Sequence, residues 1–186
     1  MISFNSNTVT KTKEPKNISE ISHHTISYLN HSEILFLQNN FSAFKEALAF
    51  KESQGKYKAV NTLGYLGKYQ FGLTTLERFK IYNGNHFLKN PELQEKAFIA
   101  LCSVNKWILR KDIKRYVGKS MNGIIITESG IIAAAHLSGA GNVKKFLRSY
   151  GKANVKDAYG SSIHDYMKRF ANYNLVQIKA NRKASV

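Results

Sequence analysis

The chain contains a single cysteine, Cys102, so no disulfide can form within it. Cys102 falls inside an amphipathic stretch, where a free thiol acts as a small hydrophobe. One Cys and six scattered His give no zinc-ligand spacing, and neither a metal nor another cofactor is expected. Long apolar runs are missing too. Gly123–Ile126 and Ile131–Ala135 fall far short of the roughly 20 residues that cross a bilayer, so no membrane insertion is expected. The start, Met1–Asn17, is built of Ser, Asn, Thr and Lys with scattered hydrophobes and lacks the apolar core of a secretory signal. Internal repeats and low-complexity tracts are absent.

Acidic residues are scarce: 12 against 28 Lys and Arg, a net charge of +16. Such a field favours polyanionic partners and speeds encounter with them, but it does not specify a fold. Nucleic acid is one class of partner; bacterial cell wall, with its anionic peptides and attached polymers, is another. The basic segment Lys106–Arg115 would suit phosphate contacts. It is equally explained by the negative end of a helix, and no helix-turn-helix, zinc or RNA-recognition signature accompanies it. Nucleic acid therefore ranks below the cell wall, and binding without chemistry ranks lower still.

With 43% apolar residues, the 186-residue chain has material for one core. Residues 1–38 read as a polar extension, with a short helix around Ser32–Gln38. Residues 39–175 read as a single helical domain and 176–186 as a basic, frayed tail. Ser42 is placed to cap a helix carrying Phe44, Leu48 and Glu52, which Gly55 ends. Three glycines in Asn61–Gly72 predict a tight loop or small β-ribbon. Thr74 or Thr75 caps a short helix through Leu76 and Phe79. Asn90-Pro91 opens the clearest helix, with Glu92 and Glu95 complementing its dipole. Leu93, Ala97, Leu101, Val104 and Ile108 continue it for about seven turns. Thr127 caps an almost wholly apolar helix, Ile131–Leu137, in which three alanines allow close backbone approach. Amphipathic helices follow near Asn142–Ser149 and Ser162–Phe170, the second opened by a Ser162/Asp165 capping box. The fold class is mainly α, with a small glycine-rich loop or β-hairpin.

Glu52 is the residue to which this pattern assigns chemistry. Positions 41, 44, 48 and 52 share one helical stripe. Phe41, Phe44 and Leu48 make that stripe apolar, so a carboxyl continuing it is partly desolvated, which favours its neutral form. A protonated carboxyl is what glycosidic cleavage needs to protonate a leaving oxygen.

Glu52-Ser53-Gln54-Gly55-Lys56-Tyr57, then Asn61, then Gly64-Tyr65-Leu66-Gly67-Lys68-Tyr69-Gln70-Phe71-Gly72 resembles the lytic transglycosylase and goose-type lysozyme group of the lysozyme-like superfamily. In that group a catalytic Glu-Ser ends a helix and a Gly-x-x-Gln loop follows. Ala135-His136-Leu137-Ser138-Gly139 resembles the group's Ala-Tyr-Asn-x-Gly motif, and Tyr166 and Tyr173 are candidates for its late aromatic. The Ala-Ala-His-Leu-Ser-Gly-Ala-Gly and Ser-Ile-His-Asp-Tyr-Met-Lys-Arg-Phe stretches look like a phage-type or secreted-effector branch. The resemblance covers residues 40–174. Leu137 stands where the group has Asn, and Lys68-Tyr69 where it has Leu-Met.

The resemblance implies a lysozyme-like catalytic domain with its glycine-rich loop beside the active site. It also implies cleavage of peptidoglycan glycan strands beside N-acetylmuramic acid, with Glu52 as general acid. Ser53, Tyr57, Asn61, Tyr65, Tyr69, Gln70, His136, Ser138, Tyr166 and Tyr173 would contact substrate. Water attack after protonation gives hydrolysis; attack by the sugar's own 6-hydroxyl gives an anhydro product. Hydrolysis usually needs a second carboxylate. The candidates, Glu77 and Glu128, each sit where helix-dipole compensation already explains them, which tilts the expectation towards the anhydro product. A monomer is expected, made in the cytoplasm and acting in the periplasm or at the wall after delivery by a secretion system, a phage or lysis. A secretion component and an inhibitor protein are the partners such delivery implies.

Overall fold

Asn40, not Ser42, starts the first helix. In the computed structural model, which describes residues 39–186, its Oδ1 accepts the Ala43 N–H at 3.0 Å. The 1–38 extension and the short helix expected near Ser32–Gln38 lie outside the described residues. Asn is as good a cap as Ser, and a start at Asn40 gives Phe41 and Phe44 their helical, buried positions. This helix, α1 (Phe41–Ser53), ends on Gln54 in the left-handed region, after which the Gly55 N–H bonds the Ala49 carbonyl at 3.1 Å.

The glycine-rich stretch that follows is a narrow ribbon in which Leu66 bridges to both Val60 and Phe71. α2 (Leu73–Arg78) starts at Gly72 without a side-chain cap, so Thr74 and Thr75 lie inside it and do not open it. α3 (Gly84–Leu88) is capped by Asn83. α4 (Pro91–Tyr116) runs 26 residues from its Asn90 cap, in line with the expected seven turns. The regular hairpin, β1 (Ser120–Met121) with β2 (Ile124–Ile125), follows α4 and is separate from the glycine-rich ribbon. Its two-residue turn is Asn122-Gly123, both at positive φ, as a type I′ turn requires. Thr127 caps α5 (Glu128–Arg148), and the Ser162/Asp165 capping box opens α6 (Ile163–Arg169).

α4 is buried on more sides than its five-residue stripe suggests. Ala97 and Val104 are buried, and so are Phe98, Ala100, Cys102 and Leu109. Burial pushes the Cys102 thiol well above its ordinary range, as suits a packing role. Phe98 lies at the centre of an aromatic cluster with Tyr69, Phe41, Phe44 and His136. α5 packs against α4 and α6. The alanines Ala133–Ala135 are buried, and α6 comes close at Gly130, where a Cβ would stand 2.7 Å from the Met167 carbonyl oxygen.

The last residues are not frayed. Ile178 is buried, the Asn181 N–H donates to the Ser103 carbonyl at 3.0 Å, and Ala184 packs on the core. These anchors lay the segment along α4.

α5 is broken at Gly139, whose φ of 77° and ψ of 151° belong to a region almost closed to other residues. Nothing lies within 4 Å of the position a Cβ would take, so the requirement for glycine is conformational. Gly139→Ala is expected to destabilise the protein by about 1–3 kcal/mol, read as a lower urea midpoint. An unchanged midpoint would show that the break tolerates a side chain.

Candidate active site

The break in α5 sits beside a cleft of about 260 Å³. That is at the small end for a ligand cavity, so a polymer would lie across it with only a short stretch seated. Glu52 from the end of α1 lines it, together with Asn61, Leu63, Tyr65 and Gln70 from the glycine-rich ribbon. His136, Leu137, Ser138 and Asn142 of α5 and the loop Val155–Tyr159 complete the wall.

Glu52 continues the stripe of Phe41, Phe44 and Leu48, all buried, and is itself half-buried. Its Oε1 accepts a hydrogen bond from the Tyr166 hydroxyl at 2.6 Å. Tyr166 is almost fully enclosed in α6. Burial, then the charge of Glu52, pushes its phenol far above the ordinary range, so it stays protonated and remains the donor. Tyr166 thus fixes the carboxyl from behind.

Gln70 reaches the cleft because the ribbon is held from three sides. Buried Gln94 of α4 accepts the Lys68 N–H at 2.8 Å and donates to the Tyr57 and Phe87 carbonyls. A Cβ on Gly67 would stand 2.2 Å from the Gln94 Oε1, so only glycine admits this anchor. Ser53 donates to the Lys68 carbonyl at 2.8 Å, tying the ribbon to α1. His136 bonds the Tyr69 carbonyl at 2.8 Å through Nε2, which must carry the proton because a carbonyl only accepts. Its Nδ1 is buried without a partner among the described residues. Gln70 itself is in the left-handed region and donates to the Gly67 carbonyl at 2.8 Å.

Several expected contacts lie elsewhere. Tyr69, expected in the cleft, is fully buried, stacked on Phe98 at 4.0 Å with its hydroxyl on Glu95. Adjacent ribbon residues face opposite ways, and the core takes Tyr69 while the cleft takes Gln70. Tyr57 donates to Glu95 at 2.8 Å, and Ser53 serves the ribbon; neither lines the cleft. Tyr173 packs edge-on against Phe44. Of the two candidate second carboxylates, Glu77 is exposed on α2 and Glu128 pairs with Lys106 at 2.6 Å; both are outside the lining.

Glu95 is more than a dipole partner. Its carboxylate takes Lys45, Lys68 at 2.9 Å, Tyr57 and Tyr69 at once, beneath the ribbon.

The loop Val155–Tyr159 was not read from the sequence as part of a site, and it brings the other carboxylate of the lining, Asp157. Asp157 Oδ1 accepts the N–H groups of Tyr159 at 2.9 Å and Ser161 at 2.7 Å. An Asp shortly before a glycine reads as a turn former, and that local role hides its position in the wall. The loop meets the ribbon through a 2.8 Å contact between the Tyr159 and Thr62 hydroxyls. Ser138 donates to the Ala134 carbonyl at 3.0 Å and Asn142 to the Ser138 carbonyl at 2.9 Å, side-chain bonds that flank the break in α5.

Among the described residues, no three His, Cys, Asp or Glu gather as a cation site, and no helix is long and apolar enough to cross a membrane. Comparison of the chain with known protein families, with curated proteins and with solved structures found no match.

Proposed function

We propose that the protein is a lysozyme-like enzyme that cuts peptidoglycan glycan strands beside N-acetylmuramic acid, with Glu52 as the general acid. The observation that carries this reading is Glu52 itself. A helix-end carboxyl, packed behind by apolar residues and held by the Tyr166 hydroxyl, opens into a cleft shared with Gln70. The motif resemblance supports it, since its Glu, Gly-x-x-Gln and small-residue helix segments all contribute to that one cleft.

Glu52 delivers its proton to the glycosidic oxygen as the bond to the anomeric carbon breaks, leaving an oxocarbenium-like sugar. Gln70, Asn61, Tyr65 and Ser138 are the groups on hand to orient the N-acetyl and lactyl substituents, while His136, with Nε2 on the Tyr69 carbonyl and Nδ1 buried, serves the ribbon. Tyr166 positions the acid and does not reach for the sugar.

Asp157 alters the expected outcome of that step. The preference for an anhydro product rested on the lack of a second carboxylate, and Asp157 lines the cleft. Water attack assisted by Asp157 is therefore the favoured course. Digestion of purified peptidoglycan should yield fragments with hydrated reducing ends by mass analysis, and Asp157→Asn should slow their release by about 100-fold or more. Anhydro ends, released by Asp157→Asn at the wild-type rate, would return the reaction to internal attack by the 6-hydroxyl. Delivery as an antibacterial effector or a phage-type lysin, with a cognate inhibitor in the producing cell, follows from this reading.

A further inference from the structure

The basic half of α4 and the C-terminal segment converge on one surface. Trp107, Arg110, Lys111 and Lys114 fall at helical spacings of three, one and three, which places them on one face of α4. The C-terminal segment runs beside them, fixed by the Asn181–Ser103 backbone bond at 3.0 Å and by Lys106 donating to the Leu175 carbonyl at 3.1 Å. This brings Arg182 over the Trp107 ring at 5.2 Å from its centroid, while Arg110 lies over the same ring at 4.0 Å.

Two guanidiniums lie over one indole, Lys111 and Lys114 are exposed on the same face of α4, and Lys179 and Lys183 are exposed on the segment that carries Arg182, so like charge is concentrated. Other basic groups nearby have partners: Lys106 pairs with Glu128 and Arg148 with Asp112. Among the described residues none of these six pairs with a carboxylate. Folding the segment back onto α4 therefore works against electrostatic repulsion, and the gathered charge is left for an external anion.

We propose that this face is a binding site for a base-free polyanion, a flexible chain bearing phosphates, which would hold the protein against its target. Stacking on Trp107 limits the freedom of both guanidiniums and leaves donor edges for oxyanions. Single-stranded nucleic acid fits less well, because the indole that would stack a base is already engaged by arginine. The site is separate from the cleft and stands whether or not Glu52 cuts glycan.

Trp107 is the sole tryptophan of the chain, so its emission reports on this surface directly. Titrating the full chain with linear polyphosphate should change that emission saturably, with affinity falling steeply as salt rises. Neutralising Arg110, Lys114 and Arg182 to Gln should weaken binding by about tenfold or more, as phosphate contacts are lost. Neutralising Lys58, Lys80 and Lys89, which removes the same charge elsewhere, should weaken it by less than about threefold. Arg182→Gln alone tests the same point in a variant that leaves α4 intact. Equal losses in the two triple variants, no loss with Arg182→Gln, or tighter binding of a charge-matched oligothymidylate would each overturn the proposal.

Discussion

Glu52→Gln is expected to lower the rate of peptidoglycan digestion by about 10²- to 10⁴-fold, the usual worth of a general acid. The amide keeps the shape of the side chain and a carbonyl oxygen to accept the Tyr166 hydroxyl, which now bonds Glu52 at 2.6 Å. The apolar stripe behind it is untouched. Thermal unfolding of the variant should therefore track the wild type while fragment release collapses. That pairing separates a lost proton from a damaged fold. Digestion by the variant at the wild-type rate would end the proposal that Glu52 is the acid.

Glu95→Ala should have the largest effect on stability. The substitution leaves Lys68, whose side chain is 6% exposed, with Glu46 as its one carboxylate partner beside the Tyr57 hydroxyl, and strips Tyr57, Tyr69 and Lys45 of their shared acceptor. Breaking a buried ion pair from one side costs about 3–5 kcal/mol. The low end applies here, because the Glu95 side chain keeps 21% of its surface open to water. The same carboxylate sets a pH dependence. Burial opposes its charge, but the bonds from Lys45, Lys68, Tyr57 and Tyr69 outweigh this and hold the group down to about 2, from an ordinary 4.5. A depressed folded value means the unfolded chain takes up the proton first as pH falls. The stabilisation is therefore whole above about 4.5 and is lost as pH drops through about 2. Melting temperatures of the wild type should fall across that window, and those of Glu95→Ala should fall less. Parallel curves would show that the cluster carries no linked proton.

The features read correctly from sequence are those set by neighbours along the chain. Asn90-Pro91, Thr127 and Ser162/Asp165 open helices because a cap needs only its own next turn, and Glu52 joins its stripe through spacing alone. Some local features were misassigned, the caps at Ser42 and Thr74 or Thr75 giving way to Asn40 and Gly72, but most of what escaped depends on partners far away. Tyr69 and Gln70 are adjacent, and which of them faces the cleft is decided by Phe98 and Glu95, residues of a different helix. Glu95 looks like a first-turn acid until Lys45 and Lys68 arrive from α1 and the ribbon. Asp157 looks like a turn former because it is one, and its place in the wall depends on how its loop folds back beside Gln70. Asn122-Gly123 did carry a local hairpin signal, hidden by the apolar residues after it. The C-terminal segment is polar enough to suggest a loose end; Ile178, Ala184 and a backbone bond from Asn181 to Ser103 hold it.

Tyr69 shapes how the protein fails on heating. Its ring lies against Phe98, its hydroxyl is on Glu95 and its carbonyl is on His136, so the peptide leading to Gln70 is clamped from both sides. The floor of the cleft is thus continuous with the aromatic interior and has no hinge of its own. Inactivation and melting should then coincide, with no warm interval in which a folded but idle molecule accumulates.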